Sequence, residues 1–389
     1  MTDSHTPEIG LLRLACTQHP PPAHTAKLAA LVAQQPDWER VYHLADRHRL
    51  LPFLYQTLRE TPGTPPAFLE RLRLECRAIA TDNLLKVNHY QNVSALLTGA
   101  NIPFRAMKGV LWATTRYPAA HLRPIGDLDL LISPDNVPAA LTVFRANGFG
   151  VSATHQLYID HGIDTMLGDL WEISLYKPFG NGGRFDVDLH WGVECFNRDY
   201  KLFGLANFTT HPDLELENQV LLLTVHHGVN NVWQHISYLN DLYFLLRGNT
   251  LNWPWLLGEL DRHGLRNVFL AGLHLCQQQH DLPLPPALND AQNDPKIAAL
   301  ARTYTAHWEA DHSREHGALI YAKVRFLLAA QPRFGQKLYL WRTFLTSRLQ
   351  RISLFKLGNR LVYIPRRFGF LTIFARAIRS AWRLAHLPR

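Results

Sequence analysis

The sequence predicts an α+β protein in which a small mixed sheet sits between two longer helical regions. Three observations predict it. Apolar residues recur at helical spacing through 26–100 and again after about 214. Strand and helix patterns alternate between 101 and 195, and residues 184–191 alternate polar and apolar as a strand with one polar face does. At 389 residues, with 47% hydrophobic and 19% charged, the chain can bury a sizeable core and does not have a disordered composition.

Residues 1–25 are polar and Pro-rich and read as a flexible N-terminus without the features of an export signal. A helical cap is expected over 26–100. "DWERVYHLADRHRLLPFLYQTLRE" places Val41, Leu44, Ala45, Leu51, Leu54 and Leu58 near helical spacing, with Asp37 as N-cap. "PGTPP" at 62–66 breaks the pattern, and a second helical run closes on Gly99. The core is expected over 101–212: strand "IPFRAM", helix "KGVLWATTRY", strand "GDLDLLIS", helix "PDNVPAALTVFRANGF" and strand "RFDVDLHW". Helices return over 213–310.

The last segment, 311–389, is a basic amphipathic tail. From Gly317 onward there are 15 Lys and Arg and no acid, which leaves 25 basic against 32 acidic residues elsewhere. Its "FLTIFARAIRSAWRLAHL" stretch suits an anionic membrane surface, nucleic acid, an acidic peptide, or packing against the acidic remainder. Cys16, Cys76, Cys195 and Cys276 show no paired spacing and read as reduced thiols. No apolar run reaches the roughly 18 to 20 residues that span a bilayer. A soluble, cytoplasmic protein is expected.

Chemistry concentrates in "MKGVLWATTRYPAAHLRPIGDLDLLI", residues 107–132. Asp127 and Asp129 are two apart on a strand, so both aim from one face and repel unless a cation lies between them. Asp186 and Asp188 offer further carboxylates on a second polar-faced strand. Oxygen ligands of this kind suit Mg2+ or Mn2+, which also accept substrate phosphates. Lys108-Gly109 at a strand-to-helix turn lets backbone N–H groups and a mobile positive charge approach a phosphate, and Arg116 and Arg123 extend that charge. The set points to phosphoryl or nucleotidyl transfer. His190 reads equally as a base, as an orienting partner of a metal ligand, or as a structural hydrogen-bonder. His226-His227 reads as a packed or capping pair, because adjacent helical residues point in different directions.

With "VDLHW", the stretch from "MKGVLW" to "DLDLLIS" resembles the uncharacterised nucleotidyltransferases of the DNA polymerase beta superfamily, in a variant carrying Lys-Gly where most members have Gly-Ser or Gly-Gly. The resemblance covers about residues 35–270 and implies a minimal polymerase-beta-like nucleotidyltransferase core. It implies metal binding by Asp127, Asp129 and Asp188, with Asp186 the weaker third carboxylate. It also implies a triphosphate, ATP foremost, at Lys108 and Gly109, an arginine at Arg123, and supporting polar positions at His190, His226 or His227, and Asp241. The acceptor stays unidentified: a small molecule, a peptide or a protein. Two alternatives compete. One is a glycosyltransferase that uses DxD to hold a sugar nucleotide. The other is a non-catalytic binding protein that recruits a partner through the basic tail.

Overall fold

The computed structural model describes residues 6–17, 22–180, 182–193, 203–305, 308–309, 316–350, 354–357, 360–364, 368 and 371. Five helices come first: α1 (Pro7–Ala15), α2 (Pro22–Ala33), α3 (Trp38–Arg47), α4 (Leu51–Leu58) and the long α5 (Pro66–Gly99). Asp37 caps α3 by accepting from the backbone N–H of Glu39 and Arg40. Within that helical stretch the chain breaks between α3 and α4, where Arg49 takes a left-handed φ of 57°.

The sheet follows. Its strands are β1 (Phe104–Ala106), β2 (Leu128–Ile132), β3 (Gly150–Val151), β4 (Glu172–Phe179) and β5 (Gly183–His190), in the spatial order β1-β2-β5-β4-β3. β2 and β5 pair in parallel and every other pair is antiparallel. Helix α6 (Lys108–Thr115) joins β1 to β2; α7 (Val137–Ala146), α8 (Ala153–His161) and α9 (Ile163–Asp169) lie between β2 and β4.

Pleating divides β2 between two apolar cores. Leu128, Leu130 and Ile132 pack into a core with Val93 and Leu97 of α5 and with Val137, Leu141 and Phe144 of α7. Leu131 enters the other core, which the N-terminal helices share with the helices that follow the sheet. Asp129 is on the Leu131 side, so the acidic face of the sheet looks toward the helical region and not toward α5 and α7.

That region comprises α10 (Leu205–Thr209), α11 (Glu215–Leu223), a π-helical turn (Thr224–Asn230), α12 (Ser237–Leu246), α13 (Trp253–Arg262), α14 (Arg266–Gln279), α15 (Pro286–Gln292) and α16 (Pro295–Thr305). The tail contributes α17 (His316–Ala330), α18 (Phe334–Gln350) and a hairpin of β6 (Leu354–Leu357) and β7 (Arg360–Tyr363). A wholly helical tail is therefore not what the described residues show: a Gly-Asn pair separates two short β-prone runs, the sequence signal of a tight hairpin. The amphipathic helix expected over 370–387 lies outside the described residues apart from Leu371, and so does Cys195. No helix among the described residues is long and apolar enough to cross a membrane.

Candidate active site

Two strands deliver the carboxylates. The parallel register sets Asp129 directly opposite Asp188, and Asp127 stands one residue before β2 begins. One oxygen from each of Asp127, Asp129 and Asp188 lies within 4.8 Å of the others. Asp186 shares the face of Asp188 but pairs at the surface with Arg184, at 3.1 Å, and is outside the trio.

Their electrostatics differ sharply. Asp129 is 2% exposed, and burial alone would raise its pKa. Lys108 Nζ at 3.1 Å and His190 Nε2 at 3.0 Å, both on Oδ1, outweigh that and hold the carboxyl well below the usual range. Asp188 is pushed up to about 7 by burial and by the neighbouring Asp127 and Glu172, against a hydrogen bond from the Ser174 hydroxyl. His190 is opposed by burial, yet its bond to Asp129 and the fields of Asp129 and Glu172 raise its pKa. Its Nδ1 lies 3.1 Å from Glu172 Oε2 without forming a hydrogen bond.

Beside the acids is the Lys108-Gly109 turn. Met107 N–H donates to the Asp129 carbonyl at 2.9 Å, which ties the turn to β2. Lys108 has φ of 21° and Gly109 has φ of 30° with ψ of −110°, left-handed values that favour glycine. A Cβ on Gly109 would also sit 3.3 Å from the Asp127 carbonyl oxygen. Glycine here lets the turn approach the acidic strand closely. The leading N–H groups of a helix such as α6 have no partner within the helix.

Behind the turn is a second acidic centre. Asp241, on α12, accepts from Arg123 Nε at 2.8 Å and Nη2 at 2.9 Å, from the Tyr117 hydroxyl at 2.6 Å and from His227 Nε2 at 2.9 Å. Burial opposes its charge, and Arg123 and His227 overcome that, so its carboxyl is far below the ordinary range. Arg123 Nη1 donates to the Gly109 carbonyl at 3.1 Å. Every nitrogen of that guanidinium is thus engaged behind the turn. Arg116 ends α6 with a buried Nε that has no hydrogen-bond partner.

The histidine pair departs from α-helical expectation. In the π-helical turn the His226 and His227 rings meet, Nδ1 to Nδ1, at 2.9 Å, and His226 Nε2 lies 2.9 Å from Lys108 Nζ. Ser174, Glu172 and Tyr117 also belong to this neighbourhood, and sequence reasoning passed over them. The alternation of Ile173 and Leu175 was the available signal for β4 and hence for Ser174. From Ser174 a cavity of about 630 Å³ runs along Ser152, Tyr176 and Phe179.

A family model described as uncharacterised nucleotidyltransferase matches residues 34–280. The chain belongs to that family. The matched stretch takes in both acidic centres, from Lys108 through Asp241. No curated protein and no solved structure matches the chain. The glycosyltransferase alternative expects several parallel βαβ units, whereas this nucleotidyltransferase-family sheet has one parallel strand pair, β2 with β5.

Proposed function

We propose that this protein transfers a nucleoside monophosphate from a nucleoside triphosphate, ATP foremost, to a hydroxyl or phosphate of an acceptor, with Mg2+ or Mn2+ as cofactor. One observation carries the reading: carboxylates from β2 and β5 converge beside a lysine-led helix start in a chain of the nucleotidyltransferase family.

The donor set fits a hard divalent cation. Three carboxylate oxygens gather within 4.8 Å, and the upward push on Asp188, from burial first and then from Asp127 and Glu172, is one that a doubly charged ion relieves. Asp127, Asp129 through the Oδ2 that Lys108 and His190 leave free, and Asp188 would hold it. When bound, such an ion supplies charge neutralisation and Lewis acidity at the phosphates.

The chain's own residues do the rest. Lys108 and the α6 amides bind and orient the β- and γ-phosphates. His190 keeps Asp129 ionised and aimed. The cavity beyond Ser174 receives the acceptor next to Asp188. Attack by the acceptor oxygen on the α-phosphorus forms the new P–O bond, breaks the bond to the bridging oxygen and releases pyrophosphate.

The test is incubation of the purified protein with each α-labelled nucleoside triphosphate, Mg2+ and a cell extract. Label should pass to an acceptor, and an Asp127→Ala, Asp129→Ala variant should transfer none. Label that never leaves the nucleotide, or transfer undiminished in the variant, contradicts the proposal.

A further inference from the structure

Among the described residues, Lys108 is the lysine or arginine that touches the carboxylate trio, and it also lies at the helix start read as the triphosphate site, so what aims its ammonium matters. An ammonium only donates hydrogen bonds; one N–H of Lys108 is accepted by His226 Nε2 at 2.9 Å, and the charged head also forms an ion pair with Asp129 Oδ1 at 3.1 Å. The bond to Lys108 fixes the tautomers behind it. With Nε2 accepting, His226 carries its proton on Nδ1 and donates to His227 Nδ1; His227 then carries its proton on Nε2 and donates to Asp241 Oδ2. Every member donates toward Asp241 and accepts from the Lys108 side, with no clash of protons.

The far end of this chain is held on several sides. Asp241 is gripped by Arg123 and Tyr117, and Tyr238 stacks on the His227 ring at 3.9 Å with an interplanar angle of 10°. Trp112 meets the same ring edge-on at 5.9 Å. Arg123 returns from Asp241 to the Gly109 carbonyl, so one carboxylate braces both the side chain of Lys108 and the backbone of the next residue. Immediately after the π-turn, Val232 and Trp233 take left-handed φ values of 47° and 52°, unusual for a β-branched and a bulky residue. Burial keeps both imidazoles neutral, with pKa values lowered, His227 to about 4.

We propose that His226, held by His227 and Asp241, is a positioning residue that aims the Lys108 ammonium so that an N–H it does not hold meets a triphosphate oxygen. A neutral acceptor does this where a carboxylate would not. It orients the ammonium without cancelling the charge that a polyphosphate must meet. Among the described residues, the hydrogen bond of the Lys108 ammonium is the one to His226, beside its ion pair with Asp129. The helical region after the sheet is thereby part of the nucleotide site. This inference rests on the triphosphate reading of Lys108.

A double-mutant cycle on the full-length protein tests it, with magnesium tripolyphosphate as a base-independent probe and isothermal titration calorimetry as the readout. Lys108→Ala should weaken binding about tenfold, the scale of one lost charge-assisted hydrogen bond. His226→Ala should weaken it about fivefold in the native background and not at all in the Lys108→Ala background. His226→Gln, which restores an acceptor, should return affinity to within about twofold of native. Additive losses in the double variant, or an undiminished His226→Ala affinity beside a weakened Lys108→Ala, overturn the positioning role while leaving the triphosphate reading intact. No binding by the native protein overturns that reading and this inference with it. Thermal melts of the four proteins identify a folding defect, and additivity that tracks a lowered melting temperature also counts against the proposal.

Discussion

Two acidic centres stand back to back across the Lys108-Gly109 turn, one around the buried Asp241 and one that opens from the buried Asp129 to the half-buried Asp188 and the exposed Asp127, and they are built to opposite specifications. Around Asp241 every neighbour is a donor: an arginine fork, a tyrosine hydroxyl and an imidazole. Around Asp188 two of the nearest groups are other acids, Asp127 and Glu172, and its carboxyl is driven toward protonation. The protein compensates the buried charge of Asp241 completely and leaves the half-buried Asp188 wanting. The difference separates an acid that braces the fold from an acid that awaits a cation, because an unrelieved repulsion persists only where something else relieves it.

The largest expected effect breaks the comparison from the open side. Asp188→Ala should lower nucleotidyl transfer by on the order of 10³-fold or more, since charge neutralisation at the phosphates is the dominant catalytic contribution. The same change should raise the metal-free melting temperature, because it removes a repelled carboxyl. Transfer assays and calorimetric melts of one preparation check both halves.

Asp241→Ala breaks it from the closed side. Removing one partner of a buried ion pair strands Arg123 and should cost about 3 to 5 kcal/mol of stability, measured by urea unfolding. Equal stability losses in the two variants would erase the distinction.

A third test sharpens it through pH. The Asp188 carboxyl is raised to about 7 in the fold against an ordinary value near 3.9 when unfolded. The folded state therefore binds more protons across that window, so metal-free stability falls as pH rises from about 4 through 7. A divalent ion takes the proton's place. Stabilisation by Mg2+ or Mn2+ should be larger at pH 8 than at pH 6, as read by melting temperature with and without metal. A pH-independent metal effect would contradict the crowding of Asp127 and Asp188.

The smallest effect belongs to Ser174. Its hydroxyl is the group that favours the ionised form of Asp188, so Ser174→Ala should move the midpoint of that pH dependence upward by less than about one unit. A downward shift would mean that the hydroxyl opposes ionisation.

The open centre was far more legible in the sequence than the closed one. Asp127, Asp129 and Lys108-Gly109 fall within 22 residues of one another, and strand periodicity places Asp188 on a polar face. The strands at 104–106, 128–132 and 183–190 were readable for the same reason. β3, with two residues, and α8, whose apolar residues Leu157, Tyr158 and Ile159 are consecutive and not helically spaced, offer no period to read.

The closed centre depends on facts that no local pattern states. His226 and His227 diverge on an α-helix, and the π-turn brings their rings together. Arg123 reads as a phosphate ligand from its place before the acidic strand. Only the packing of α12 against the turn reveals that Asp241 occupies its Nε and Nη2 while the Gly109 carbonyl takes Nη1.

The most direct measurement is anomalous scattering from crystals grown with Mn2+ and a non-hydrolysable nucleoside triphosphate. The account predicts a manganese peak within about 2.2 Å of carboxylate oxygens from Asp127, Asp129 and Asp188, bridged to the triphosphate beside Lys108. Triphosphate bound elsewhere, or a trio that stays metal-free at saturating Mn2+, would contradict it.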